Sequence, residues 1–268
     1  MPKNSTTIPV IGLCRFSYPT LDGTGFKSSS KQEIYSTERL IFRTTIFENI
    51  LIPSIAGQTE KDFLLGILIG SDLPSWCKER VRKSCQNISQ IRIIEHPPLR
   101  PHTEACSEAI ISLRPDTGSP LAEFRIDDDD GLSINFVKRV KEIFSSISVN
   151  NFGPILELDF PKGYHLNICR EPTFYETLTP HLTCAQAWLI KPKRDRTLFN
   201  HNHFRFWTKG PSISIPHDHM YIRGIHGFND SNAQSRIKHS NEFPYNSSIH
   251  RQFNVSLDNI HNISRSLA

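Results

Sequence analysis

Four short apolar runs, separated by amphipathic helical patterns, limit what the first 130 residues can fold into. The runs are Val10-Ile11-Gly12-Leu13-Cys14, Phe63-Leu64-Leu65-Gly66-Ile67-Leu68-Ile69, a stretch marked by Ile91, Ile93 and Ile94, and Leu121 to Ile126. Runs with no polar alternation suit strands covered on both faces, as in parallel sheets. The order strand, helix, strand, helix, strand, helix, strand predicts an α/β fold: an open, mainly parallel sheet with helices on both faces. Such sheets bind ligands outside the carboxyl ends of their strands, so the residues just after Cys14, Ile69 and Ile126 are the places to look.

The helical patterns are specific. From Glu38 to Ile52, Phe42, Ile46 and Ile50 recur at four-residue spacing, with Thr37 placed to cap the start and Pro53 to end the pattern. Pro74 suits a first turn leading through Trp76 and Val81. Thr103 to Leu113 carries Cys106, Ala109, Ile110 and Leu113 on one stripe, and residues 132–148 carry Phe136, Val137, Val140, Ile143, Phe144 and Ile147. After residue 150 the pattern turns to short strands at Pro154–Phe160, Gly163–Cys169 and Cys184–Lys191. From about 229 the chain is polar and rich in Asn, Ser and His. The expected division is a parallel, ligand-binding half at 8–131, a mixed second half of the same domain at 132–231, and a polar tail at 232–268, either loosely packed or wrapping the core as an arm.

The whole chain has 268 residues and a formal charge of +4, with 17 Phe to build a core. That excludes general disorder, and an excess of four spread along the chain gives no reason to expect a nucleic-acid partner. Met1 to Thr7 is polar, and no apolar run reaches the roughly 18 residues of a membrane span. Six cysteines are scattered without a CxxC pair. Reduced, buried thiols and a cytoplasmic location are expected.

The most informative segment is Phe124-Arg125-Ile126-Asp127-Asp128-Asp129-Asp130-Gly131. Four carboxylates following an apolar strand repel one another unless solvent or a cation screens them. A solvated loop would suffice, but the position is where a parallel sheet builds its crevice. A hard cation, Mg²⁺ or Mn²⁺, takes such oxygens and keeps positions open for phosphate. An EF-hand reading fails, because Gly131 at the sixth loop position puts Ile126 at the first and Val137 at the twelfth. Asp128 to Gly131 has the letters of the Asp-x-Asp-Gly of haloacid-dehalogenase-type phosphatases, yet at least three strands precede it where that motif ends a first strand. The Asp-x-Asp of nucleotide-sugar glycosyltransferases with the GT-A fold ends a strand midway along the chain, as this run does.

Further segments carry a resemblance. Leu13-Cys14-Arg15-Phe16-Ser17 follows the first strand. Phe47-Glu48, Leu51-Ile52-Pro53-Ser54-Ile55, Gln58-Thr59 and Asp62-Phe63 lead into the second, and Ile225-His226-Gly227-Phe228-Asn229-Asp230-Ser231 lies near the end. With the acidic block, this set resembles the bacterial putative rhamnosyltransferase family over roughly residues 8 to 231. The resemblance implies a GT-A-like fold and transfer of a sugar, with rhamnose as the named one, from a nucleoside diphosphate sugar to a glycan or other hydroxyl acceptor. It implies that Asp127 faces the ribose or a metal water, that Asp129 ligates the cation, and that Asp130 adds a ligand or a supporting contact. Asp128 stays with the nucleotide-sugar residues because the register within four Asp can slip by one. Arg15 would stand at the base or phosphate end with Phe16 and Ser17, Asp72 near the nucleobase or ribose, and His226 on the cation or diphosphate.

Other groups are weighed from chemistry alone. His201-x-His203 and His217-x-His219 have the spacing that puts two rings on one face of a strand, which could serve a transition metal. If the transfer inverts, a carboxylate must deprotonate the acceptor, and Glu171, Asp195 and Asp218 are the candidates after the motif. The competing class is a cation-dependent carbohydrate-binding protein without turnover, against which the combination of Asp127, Asp129 and His226 argues.

Overall fold

In the computed structural model, residues 8–21, 30–116, 118–147, 153–191, 196–201, 208–229 and 242–265 are described. The expected alternation is present. Strands β1 (Val10–Arg15), β2 (Leu64–Gly70), β3 (Ile91–His96) and β4 (Leu121–Asp127) run parallel in the order β4-β1-β2-β3. Helices α1 (Lys31–Ile34), α2 (Thr37–Ile46), α3 (Ile52–Ala56), α4 (Ser75–Cys85), α5 (His102–Ile111) and α6 (Phe136–Ser146) fill the spaces between and after them. In register, Cys14 faces Ile126 and Ile67, so the strands end on one edge.

The apolar runs are continuous because both faces are covered. Ile11 and Leu13 pack with Ala105, Cys106, Ala109 and Ile110 of α5. Val10 and Cys14 join Leu40, Phe136 and Val140 on the opposite face. Each such side chain removed from water contributes about 1.5–3 kcal/mol. Gly12 lies under the Phe124 ring, which a Cβ would strike.

On the other side of β4 the sheet continues as β9 (Gln186–Ile190), β6 (Ile155–Asp159) and β10 (Ser212–Ser214). Here β9 is antiparallel to both neighbours. A second, five-stranded sheet has the order β12-β8-β7-β11-β5, from β5 (Asp130–Leu132), β7 (Lys162–Asn167), β8 (Thr173–Leu178), β11 (Tyr221–Ile225) and β12 (Glu242–Phe243). The acidic block is the turn from one sheet into the other. Asp127 ends β4 and Asp130 begins β5. For that reason α6 starts at Phe136, later than the expected 132: Asp130 to Leu132 pair with β11 instead.

Two helical expectations are corrected. Pro53 does not end the second helix. A π turn at Phe47–Leu51 is followed by α3 (Ile52–Ala56), and the amide of Ile52 bonds back to Phe47 O. The register shift leaves Pro53 at the start of a new helical segment, where its missing N–H costs nothing. The first turn of α2 has Ser36 at the N-cap position rather than Thr37, without a side-chain cap bond.

The polar segment near the end contains α7 (Ser247–Phe253) and α8 (Leu257–Arg265). Ile249, Phe253, Val255, Ile260 and Ile263 are buried against Phe42, Ile46 and Ile50. Asn259 and Asn262 also donate to Asn49 in the π turn, at 3.0 and 3.4 Å. Residues 230–241 lie outside the described residues. Among the described residues no helix is long and apolar enough to cross a membrane.

Candidate active site

The site grows from the carboxyl ends of β1 and β4. Arg15 and Asp127 are direct partners in the parallel ladder. The chain then turns sharply, and the next three carboxylates go inward: Asp128, Asp129 and Asp130 are 1, 5 and 2% exposed. Three ionised side chains at that depth require compensation.

Arg43, from the buried face of α2, provides much of it. Its guanidinium ion-pairs with Asp128, and its Nη1 donates to Asp129 Oδ2 at 2.8 Å. The same oxygen accepts from Asn229 Nδ2 at 2.9 Å and lies 2.9 Å from His226 Nε2. Burial by itself would raise the Asp129 carboxyl, but Arg43 and His226 hold it well below the usual carboxylate range. Asp130 goes the other way. Burial, then the charges of Asp129 and Asp127, push it well above its ordinary value. Its Oδ2 accepts from Cys184 Sγ at 2.9 Å and its Oδ1 from the Gly224 amide at 3.1 Å. Arg223, paired with Asp130 in the β5–β11 ladder, adds positive charge beneath the turn.

Asp127, Asp129 and Asp130 each bring an oxygen within 4.8 Å of the other two. These hard oxygen donors suit Mg²⁺ or Mn²⁺, and a cation among them would offset the burial and the neighbouring Asp charges that raise the Asp130 carboxyl. The residues therefore fit a divalent cation. His226 lies outside this group of three. The Phe228 amide donates to its Nδ1 at 3.1 Å, while its Nε2 lies between Asp129 Oδ2 at 2.9 Å and Arg43 Nη1 at 3.1 Å. Burial keeps the ring neutral by lowering its pKa. In this geometry the His226 ring is engaged with Asp129 and Arg43 beside the three carboxylates.

Asp128 does not open onto the crevice. It is turned under the sheet edge onto Arg43, so it is placed neither to touch a nucleotide nor to act as the exposed nucleophile of a phosphatase. Phe16 is fully buried with its ring 5.1 Å from that of Phe47, so it supports the strand end and cannot stack on a base. Ser17 follows with φ +42, a strained conformation for serine, and its buried Oγ has no hydrogen-bond partner among the described residues. An orphaned hydroxyl there is a ready donor for a ligand oxygen. Asp72 lies past the end of β2, where it accepts from Tyr35 at 3.1 Å and ion-pairs with Lys31. It is not the cap of α4, whose N-cap is Pro74.

The remaining candidates disperse. Asp218 sits 3.5 Å from Arg139, in the wall of a separate cavity of about 460 Å³ with Ser133, Lys138 and Arg251. Glu171 is exposed in the turn after β7, and Asp195 lies outside the described residues. His219 stacks on Tyr164 and meets Glu176 at 2.6 Å, while His217 is exposed in a bend rather than on a strand. His201 lies beside Trp188, and His203 is outside the described residues. Neither histidine pair forms a metal group among the described residues.

Sequence reasoning missed Arg43, Arg223, Gly224 and Cys184. One signal was available: Arg43 falls within the apolar face set by Leu40, Phe42, Ile46 and Phe47, where a charge needs a partner.

The sequence family described as "Putative rhamnosyl transferase" matches residues 9–238. No curated protein matches the sequence. Among solved structures, S. aureus TarS 1-349 is similar at 7% identity and a TM-score of 0.45, over 81% of this chain and 60% of that one. Its complex with UDP-GlcNAc is similar at 10% identity and a TM-score of 0.46, over 83% of this chain and 60% of that one. The chain thus spans about 60% of the length of those structures.

Proposed function

The chain belongs to the putative rhamnosyl transferase family, and from that premise we propose a cation-dependent glycosyltransferase that moves a sugar from a nucleoside diphosphate sugar to a hydroxyl of a glycan or similar acceptor. The family description makes rhamnose the first sugar to test. The observation that carries the reading is the convergence of Asp127, Asp129 and Asp130 at the carboxyl edge of the parallel sheet, beside Arg15.

Asp127, Asp129 and Asp130 would hold Mg²⁺ or Mn²⁺, which supplies Lewis-acid stabilisation of the charge that grows on the departing diphosphate. Arg43 and His226 keep Asp129 ionised and aimed. Arg15 is suited to a phosphate oxygen, and the Ser17 hydroxyl to a second polar atom of the donor. Asp72 would meet the nucleobase or ribose at the end of β2. The six cysteines form no disulfide with one another and five are buried, which supports a reducing compartment. We place the reaction in the cytoplasm.

A panel of nucleoside diphosphate sugars that includes rhamnosyl donors, assayed with and without Mn²⁺, tests this. Release of nucleoside diphosphate that depends on the cation is the expected result. No release from any donor, or release of inorganic phosphate from phosphomonoesters instead, would overturn it.

A further inference from the structure

Helices α6 and α7 and the bend before β11 enclose the cavity of about 460 Å³, which the cation turn does not use. Helix spacing explains its lining. Phe136, Val137, Val140 and Phe144 bury one face of α6. Asn135, Lys138, Arg139 and Glu142 recur at three- and four-residue intervals on the other and line the cavity. On α7, Ile249 and Phe253 are buried, while Ser248, Arg251 and Gln252 line the facing wall.

These walls come from separate segments of chain, yet main-chain hydrogen bonds tie them together. The Ser133 amide donates to Met220 O at 3.0 Å, and the Ile134 amide to Gln252 O at 2.8 Å. The Gln252 side chain also donates to His219 O. A ligand therefore meets walls already in place and need not order them.

Charge decides the sign of the ligand. Lys138, Arg139 and Arg251 stand against Glu142 and Asp218, an excess of one positive charge. Arg139 lies 3.1 Å from Glu142 and 3.5 Å from Asp218, so both carboxylates already share a guanidinium. Lys138 comes no nearer than 3.9 Å to Glu142. Arg251 donates to Ser247 Oγ at 2.9 Å and meets no carboxylate among the described residues. A ligand cation would find the carboxylates occupied, whereas an anion finds Arg251 and Lys138.

The remaining lining decides the rest of the ligand. The volume falls in the range of small-molecule sites. Among the described residues, the lining has one apolar side chain, Met220, and no aromatic ring. An apolar or aromatic ligand would gain little there. The amides of Asn135 and Gln252, the hydroxyls of Ser133 and Ser248 and the two carboxylates offer both donors and acceptors, which is what a set of hydroxyl groups requires.

We propose that this cavity binds an acidic saccharide, a uronate or a sugar phosphate, with its anion on Arg251 and Lys138 and its hydroxyls on the amides and carboxylates. The binding goes beyond the glycosyltransferase reading. Its use rests on that reading: the site holds a unit of the acceptor glycan other than the one that receives the sugar. Ser133 and Met220 follow the ladder in which Asp130 pairs with Arg223. The floor of the cavity is thus three residues of strand from the cation turn, about 10 Å.

The test is a ¹H–¹⁵N NMR titration of the full chain without divalent cation, at low salt. The probes are glucuronate, glucose phosphorylated on its primary hydroxyl, and glucose as the neutral control. At least one acidic probe should bind, shifting amides of α6 and α7, and which one binds identifies the anion. Glucose should not bind. Arg251→Gln should weaken binding roughly tenfold, as for a hydrogen bond to a charged group, and Arg251→Glu should abolish it. Lys138→Gln, on the opposite wall, should weaken it by a smaller factor and serves if an Arg251 variant folds poorly. Cation-dependent hydrolysis of the donor, with water as acceptor, should be unchanged in Arg251→Glu. No binding of either acidic probe, equal binding of glucose, or binding that survives Arg251→Glu would each overturn the site while leaving the donor reading intact. A wild-type protein that binds the acidic probe but turns over no donor would overturn the glycosyltransferase reading and the acceptor role, with the saccharide site still standing.

Discussion

Arg43 Nη1 lies 2.8 Å from Asp129 Oδ2, and the same guanidinium ion-pairs with Asp128. A helix that precedes the acidic turn by more than 80 residues thus sets the charge state of that turn. The arrangement keeps one carboxylate ionised, buries a second as its counterweight, and leaves Asp127 exposed at the strand end.

Replacing Arg43 by Met keeps an unbranched apolar stem and removes the charge. Two buried carboxylates then lose their partner, which typically costs about 3–5 kcal/mol. Thermal unfolding should show a clear loss of stability. Added Mn²⁺ should raise the midpoint of Arg43→Met more than that of the wild type, because a cation then replaces the missing charge. An equal Mn²⁺ effect in both proteins would show that Arg43 and the cation answer to different groups.

Gly224 is where β11 passes the turn. A Cβ there would collide with the backbone carbonyl of Asp129. Backbone cannot yield as a flexible side chain can, so Gly224→Ala should displace Asp129 and the Gly224 amide that donates to Asp130. The expected signature is weakened Mn²⁺ binding with far-UV circular dichroism unchanged. Unaltered binding would mean that the strand relaxes without moving the carboxylates.

Asp159 gives a pH prediction. Burial pushes its carboxyl up to about 6 from 3.8. The folded state therefore keeps its proton where the unfolded chain has lost it, so this group's contribution falls as pH rises from about 4 to about 6. The size is on the order of 3 kcal/mol. The stability of the wild type relative to Asp159→Asn should decline across that window in chemical denaturation. A difference that is flat, or that rises with pH, would contradict the assignment.

The parallel half was legible because strands covered on both faces must be apolar throughout, as Val10 to Cys14 and Leu65 to Ile69 are. The acidic turn was legible because four adjacent Asp have few ways to be stable. The second sheet was not. Its strands are short and mixed: β5 has three residues and opens on an aspartate, and β8 alternates polar and apolar residues. Arg43 went unread because its partners are more than 80 positions away.

The C-terminal segment was legible only as two alternatives, a loose tail or a wrapping arm. Helices α7 and α8 bury few apolar residues each, and the surrounding Asn, Ser and His dilute the pattern. Those few residues cover Phe42, Ile46 and Ile50. Deleting residues 232–268 should therefore give an aggregation-prone protein, measured by sedimentation of the expressed chain. A soluble monomer with native circular dichroism would show that the core closes without these helices.

Manganese binding by electron paramagnetic resonance, titrated with and without uridine or thymidine diphosphate, tests the donor-site account most directly. Wild-type protein should bind Mn²⁺ weakly alone and more tightly with nucleoside diphosphate, since the phosphates supply further oxygen ligands. Asp129→Asn should lose that gain, and its turnover should fall roughly 10²- to 10³-fold. Mn²⁺ affinity that ignores the nucleotide and survives Asp129→Asn would remove the acidic turn from the mechanism.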